Sequence, residues 1–459
     1  MLESFRNIFA IPDLRKRLFF TFALLGVYRI GCIIPSPGVD PHALLEFMKM
    51  AESGILGFVN TFTGGSLRRL AVFALGIMPY ITSSIILQLL TVVWPYLEKL
   101  SKEGEMGRKK ITQWTRYGTV VISVVQSAGI ALFLERTTTP GGAALVPSPG
   151  WGFRLMTILT LTTGCAFVMW LGEQISERGV GNGISLIIFA GIVVGIPHAI
   201  ATTINGMSTG NISILKLVIL AVFMVLVVAF IVYMERAQRR IPVQYAKRVV
   251  GRKVYGGQNT YLPLRVNTAG VIPVIFASSV IMVPATIAQL IKQDWVQKIA
   301  DQLRWGQPFY YMLYVAAIVF FSYFYVSIIF NPTDTAENMR KYGGFIPGIR
   351  SGKRTAEYID RILTRITLVG ALYLAAVSVL PEFLISGVKL QNLPFIGATL
   401  DQYMPTWVTE GMGINFFFGG TSLLIVVGVA MDTVQQIESQ LVMRNYEGFL
   451  KRGRIRGRR

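Results

Sequence analysis

Apolar runs long enough to cross a bilayer, about 20 residues each, recur along the whole chain. Ten can be traced, at 18–34, 71–93, 117–134, 153–171, 183–203, 215–233, 269–290, 309–330, 366–385 and 414–431. A chain of 459 residues would ordinarily suggest two or three soluble domains, but this one is 53% hydrophobic and only 15% charged. In lipid, every backbone polar group must be satisfied internally, which a helix does alone. A membrane β-barrel would instead show short alternating strands. The expected fold is an all-α polytopic membrane protein. The start, MLESFRNIFAIPDLRKR, is basic and amphipathic, and no small-residue cleavage site follows the first run. That run is expected to stay as a span.

Charge sets the expected orientation. The formal net charge of +20 is unevenly spread. With alternating spans, one side receives Arg15, Lys16 and Arg17, then Lys99, Lys102, Arg108, Lys109, Lys110 and Arg116. It also receives the loop after the sixth run, then Arg340, Lys341, Arg350, Lys353 and Arg354, and the closing KRGRIRGRR. The other side holds scattered cations such as Lys49, Arg68, Arg69, Lys292, Lys298, Arg304 and Lys389. The positive-inside rule then puts both termini in the cytoplasm. An even number of spans requires the same.

The loop at 239–263, RRIPVQYAKRVVGRKVYGGQNTYLP, is long for a connection between two spans. One reading is orientation bias alone. The other is a docking face for a large anionic or acidic partner. Its length and its Gly and aromatic content favour docking. Ribosomal RNA, anionic lipid and an acidic protein all suit such a face. The terminal KRGRIRGRR serves any of these, or is a solvated tail near anionic headgroups.

The spans are nearly free of charge. Arg29, Arg154 and Glu382 lie near the outer ends of the first, fourth and ninth, and Arg365 at the inner end of the ninth. No Asp or Glu falls in mid-span, where coupled transporters and proton pumps place ionisable groups. No Walker A sequence occurs, and GVGNGIS at 179–185 joins two spans, so it is a tightly packed turn. Cys32 and Cys165 are far apart, which argues against a disulfide framework. With His42 and His198 as the only histidines, no metal-site spacing exists. Neither a catalytic constellation nor a cofactor site is visible, so work done through this chain must be powered by a partner. Gln88, Gln126 and Asn267 are polar residues within or beside spans, ordinarily explained by hydrogen bonds between helices.

The stretch 55–62, between the first two spans, is too short to cross and too apolar for a simple loop. It is either a re-entrant plug, tolerated where protein or a water cavity surrounds it, or an interfacial helix. Gly64 and Gly65 offer a helix break.

The motifs RIGCIIPSPGVD, TGGSLRRLAVFALGIMPYITSSIILQLL, EKLSKEGEMGRKKITQWTRYGT and WLGEQISERGVGNGISLIIFAGI occur in order. They are followed by RRIPVQYAKR, LPLRVNTAGVIPVIFASS, FNPTDTAENMRKYGGFIPGIRSGKRTAEYID and FFFGGTSLLIVVGVAMD. Together they resemble the SecY family, central subunits of the bacterial protein-conducting channel, from the first span to the tenth. The resemblance implies ten transmembrane helices in two inverted five-helix halves, 18–204 and 205–435, with a re-entrant plug helix at about 55–69. A cytoplasmic amphipathic N-terminus (1–17), cytoplasmic loops at 235–266 and 331–361 and a basic tail (436–459) complete the arrangement.

The resemblance also assigns roles. A ring of aliphatic side chains at the channel waist falls on Ile77, Ile81, Ile184, Ile188, Ile275 and Ile425. Such a constriction dewets and impedes ions, yet stretches around a passing chain. Plug residues are Ile55, Leu56, Phe58, Val59, Phe62, Arg68 and Arg69. Gln88, Gln126 and Asn267 match a lateral gate, between spans two and three and spans seven and eight, that a signal sequence opens toward lipid. Arg240, Lys247, Arg248, Arg252, Lys253 and Arg350 match a docking face for the ATPase SecA or the ribosome. Expected partners are SecE and SecG, signal sequences, unfolded preproteins and anionic lipids, in the bacterial inner membrane. Two departures stand out: Ser351 replaces the usual Pro after Arg350, and the outer loop at 386–413 is longer than in many relatives. A solute transporter also suits ten spans, but it conflicts with the missing mid-span carboxylates and the oversized basic loops. A polytopic enzyme conflicts with the absence of acid–base or nucleophile groups.

Overall fold

The structure, a computed structural model, describes residues 11–51, 60, 62–137, 144–208, 213–245, 248–250, 253–255, 260–290, 302–303, 306–387 and 420–452. Its helices are α1 (Pro12–Gly31), α2 (Pro41–Ala51), α3 (Met78–Val93), α4 (Pro95–Lys102), α5 (Glu105–Arg136), α6 (Trp151–Arg178) and α7 (Gly183–Ser208). They continue as α8 (Ile214–Arg236), α9 (Ile272–Leu290), α10 (Pro308–Ile329), α11 (Pro332–Lys341), α12 (Lys353–Ser386) and α13 (Gly420–Arg452). Each apolar run is carried by a helix for most of its described length. Among the described residues, seven helices are long and apolar enough to cross a membrane, or eight if a bent pair counts as one span. Prolines open several helices, including α1, α4, α10 and α11, because the first turn has no use for the missing N–H. The chain packs as two compact units: Met1–Asn205 with Met282–Trp305 and Val429–Arg459, and Gly206–Ile281 with Gly306–Gly428.

In the first unit, α3 and α4 form the bent pair, turned by 99°. Trp94 is extended, as the residue before a proline prefers, and α4 buries Leu97 and Leu100 beside Leu87. Helices α3, α5 and α6 approach closely through small residues. Thr115, Thr119, Ser123 and Ser127 recur every fourth position of α5 and are all buried. Ser83 donates to the Thr115 carbonyl at 2.9 Å, and the Ser127 and Thr162 hydroxyls lie 3.2 Å apart. A Cβ on Gly164 would overlap the Val72 carbonyl oxygen, and one on Gly183 the Gly172 carbonyl oxygen. The glycine-rich turn before α7 is thus tightly packed. Val180 of this turn donates from its amide to Thr21 Oγ1 at 3.1 Å. With Leu14 it forms an apolar cluster joined by Ile11, Leu18, Ile437 and Leu441. Cys32 and Cys165 are buried free thiols, and His42 is exposed.

In the second unit, the loop after α8 contains strands that the sequence reading did not anticipate. They are β1 (Gln238–Tyr245), β2 (Arg248–Val250), β3 (Lys253–Tyr255) and β4 (Thr260–Arg265). A fifth, β5 (Gly344–Phe345), comes from the loop before α12. The sheet order is β4-β1-β5, and β2 and β3 form a separate hairpin. β1 runs antiparallel to β4, with Arg240 opposite Pro263 and Pro242 opposite Tyr261. β5 meets β1 only at Gln244 and Tyr245, so at Pro242 the strand has one neighbour, where a residue without an N–H is accepted. Ile241 and Val243 point inward and Arg240 outward, the period-two pattern of a half-buried strand. Their core includes Leu264, Met339, Ile346 and Ile359.

Candidate functional site

Four of the six expected ring residues lie in the first unit. Ile77 is the residue before α3 and Ile81 follows one turn later; both are buried. Ile184 and Ile188 sit four residues apart at the start of α7 and so share a face. Ile188 is buried, and Ile184 is half-buried close to Gly172, where a Cβ would stand 3.2 Å from its Cγ1. In the second unit, Ile275 of α9 and Ile425 of α13 are buried. All six are aliphatic; Ile77 caps α3 and the other five fall within the first two turns of their helices. Such groups can neither bind an ion nor hold a passing peptide by hydrogen bonds.

Ile55, Leu56, Phe58 and Val59 of the expected plug lie outside the described residues. Phe62 is buried, Arg68 half-buried and Arg69 exposed. The helix break falls where expected, with φ of +66° at Gly64 and +82° at Gly65. The turn is knitted by its own polar groups. Asn60 accepts the Arg68 amide at 2.9 Å, and Ser66 Oγ donates to the carbonyls of Thr63 and Phe73 at 2.8 and 3.0 Å. Ser36 N donates to the Leu70 carbonyl at 2.8 Å and Val72 N to that of Ile34 at 2.9 Å, which ties the segment to the chain after the first span.

The three expected gate residues differ in their partners. Gln88 donates to Ser84 Oγ at 3.2 Å, but its buried amide oxygen finds no donor among the described residues. Gln126 is half-buried. Asn267 is buried and donates to Glu235 Oε1 at 2.6 Å and to the Gly270 carbonyl at 3.2 Å. Glu235 was not singled out in the sequence because it adjoins Arg236 at a span end, where a solvated carboxylate is the ordinary case. The structure buries it instead, at 8% exposure.

Of the docking residues, Arg240 and Arg350 are exposed. Arg248 and Lys253 lie on the β2–β3 hairpin, opposite Tyr255 and Val250. Lys247 and Arg252 are outside the described residues. The Arg350 carbonyl accepts Thr355 Oγ1 at 3.0 Å, which fixes the turn around Ser351 before α12. The longer outer loop lies largely outside the described residues. Arg240 and Arg350 come from two loops about a hundred residues apart, and β5 joins those loops in one sheet.

Bilayer-length apolar helices and the turn between the first two spans are those of a polytopic membrane protein. The family described as SecY matches residues 71–434. The chain is 48% identical over 451 residues to the protein translocase subunit SecY of Escherichia coli K12, covering 97% of this chain and 96% of that one. It therefore belongs to the SecY family. The SecY subunit of Aquifex aeolicus is 42% identical over 453 residues, covering 98% of this chain and 100% of that one. Among solved structures, one described as that of a protein conducting channel matches with a TM-score of 0.60 at 18% identity, covering 93% of this chain and 92% of that one. Another, whose description states that the SecY plug domain stabilises the closed state and maintains a membrane seal, matches with a TM-score of 0.59 at 19% identity and the same coverage.

Proposed function

We propose that this chain is the gated, passive pore of a bacterial inner-membrane secretion system, with both termini cytoplasmic. Unfolded preproteins pass outward through it, and apolar segments leave sideways into lipid, the better solvent for an apolar helix. The chain performs no catalysis of its own, and SecA or the ribosome supplies the work. SecE and SecG brace the two inverted halves. Anionic lipids lie against the basic face.

The observation that carries this reading is the joining of both basic loops into the sheet β4-β1-β5, with Arg240 exposed on β1 and Arg350 exposed in the turn that follows β5. Arginine there can form charge-assisted bonds to an acidic protein or to phosphate. A canine Sec61 channel has been solved in complex with the ribosome and shares this fold with a TM-score of 0.56. In this reading the six isoleucines form the waist, residues 55–69 the plug, and Gln88, Gln126 and Asn267 the lateral seam.

The test is reconstitution of the purified chain with SecE in liposomes, followed by a secretory precursor, SecA and ATP, scored by protease protection. ATP-dependent protection that disappears on Arg350→Glu supports a motor-driven protein channel. Absence of SecA binding by a correctly inserted chain would count against it.

A further inference from the structure

We propose that Arg29 latches the plug hinge, clamping it against Gly191, and that releasing this latch opens the resting channel. The proposal rests on the plug reading above. Arg29 Nη1 donates to the Gly64 carbonyl oxygen at 2.6 Å. Gly64 is the first of the two left-handed glycines where the plug turn breaks. The Tyr28 hydroxyl and Cys32 Sγ reach the neighbouring Thr63 carbonyl at 3.5 and 3.9 Å. All three donors come from the outer end of α1. Bare backbone closes the other side: a Cβ on Gly191 of α7 would lie 2.9 Å from the Phe62 carbonyl oxygen, and one on Gly64 would lie 3.0 Å from Gly191 Cα.

A cation at a span end is ordinarily satisfied by water or a carboxylate, and one turned onto protein calls for a functional reason. Among the described residues, Arg29 is bonded to a backbone carbonyl. Such a bond is about twice as strong as a neutral one and weaker to part than a desolvated ion pair. That intermediate strength suits a contact that must hold at rest and yield to an arriving signal sequence. The contact lies at the glycine break of the turn, beside the Thr63 carbonyl that Tyr28 and Cys32 reach.

The experiment measures resting ion conductance of the reconstituted channel for Arg29→Gln, Arg29→Lys and a deletion of 55–62. Losing one hydrogen bond to a charged group shifts a two-state equilibrium on the order of tenfold or more, so Arg29→Gln should leak by about that factor, toward the deletion. Arg29→Lys, which keeps the charge and a donor, should stay near the unaltered channel. Hydrogen exchange should quicken at the Gly65 and Ala71 amides, which bond to Asn60 and Ser66 within the turn, and stay unchanged in α6. Should Arg29→Gln fail to insert, Gly191→Ala tests the clamp from the opposite side and should leak as well. A tight variant beside a leaking deletion overturns the latch and leaves the plug reading standing. A deletion that does not leak overturns the plug reading, and the latch with it.

Discussion

Arg154 and Glu135 form an ion pair of 2.7 Å between α6 and α5, and the Glu135 side chain is only 6% exposed. The same carboxylate accepts the Gly150 amide at 3.0 Å, just before α6 begins. Toward the other end of the same helices, Arg116 meets Glu173 at 2.7 Å with side-chain exposures of 45% and 14%. The two pairs differ in burial, so their removal should differ in cost. Arg154→Gln leaves the little-exposed Glu135 carboxylate with the Gly150 amide alone and should be the costlier change. Arg116→Gln leaves a group that water can reach and should cost about 1 kcal/mol or less. Denaturant unfolding in detergent, followed for both variants, checks the order. Equal costs would mean that burial does not set the strength of these pairs.

Ile188→Asn should raise resting ion conductance while leaving the fold intact, because an amide wets a constriction that an aliphatic side chain keeps dry. Ile188→Leu should not. Conductance traces from single reconstituted channels distinguish the two. An Asn variant as tight as the unaltered chain would remove Ile188 from the waist.

The Asn267 amide donates to both Glu235 and Gly270. Glu235→Ala removes the shorter of these two bonds from a buried group and should cost about 1 kcal/mol. Glu235→Gln keeps an acceptor and should lose much less. If the alanine variant also exports precursors with weakened signal sequences, the pair belongs to the gate. If stability falls and signal dependence does not change, the pair is structural only.

Gly344 pairs with Tyr245, and a Cβ at Gly344 would stand 3.0 Å from the Tyr245 ring. Gly344→Val should therefore dislodge β5 and weaken SecA binding nearly as much as Arg350→Glu, although Arg350 is untouched. Binding measured by surface plasmon resonance on nanodiscs checks this. Full affinity in the valine variant would show that the loops dock independently.

The helical frame was legible because a bilayer span leaves a long apolar run, and each run is helical over most of its described length. The helix break at Gly64 and Gly65 was equally readable, since both need φ values that side chains disfavour. The sheet built by the two basic loops was not. β1 has only eight residues, contains Pro242, and is paired in part by a segment about a hundred residues away. Short apolar alternation in a basic loop carries little signal, and the prolines argue against a strand. Glu235 escaped for a related reason, since burial of a single span-end carboxylate depends on what packs over it. The expected ring residues were assigned by motif alone. No local pattern separates Ile188 from the buried Ile187 and Ile192 beside it on α7.

The joined loops carry a mechanical consequence. Phe345 lies beside Gln244 on β1, and β1 runs back to Ala237, whose carbonyl accepts the Val266 amide at 3.0 Å. From Val266 the chain passes through Asn267 and Gly270 into α9, whose first turn bears Ile275. The turn that bears Arg350 is thus joined through the paired strands β5, β1 and β4 to the short connection that leads into α9. In the docking reading proposed above, this sheet is a handle, and a motor gripping it strains the start of α9 before any substrate arrives.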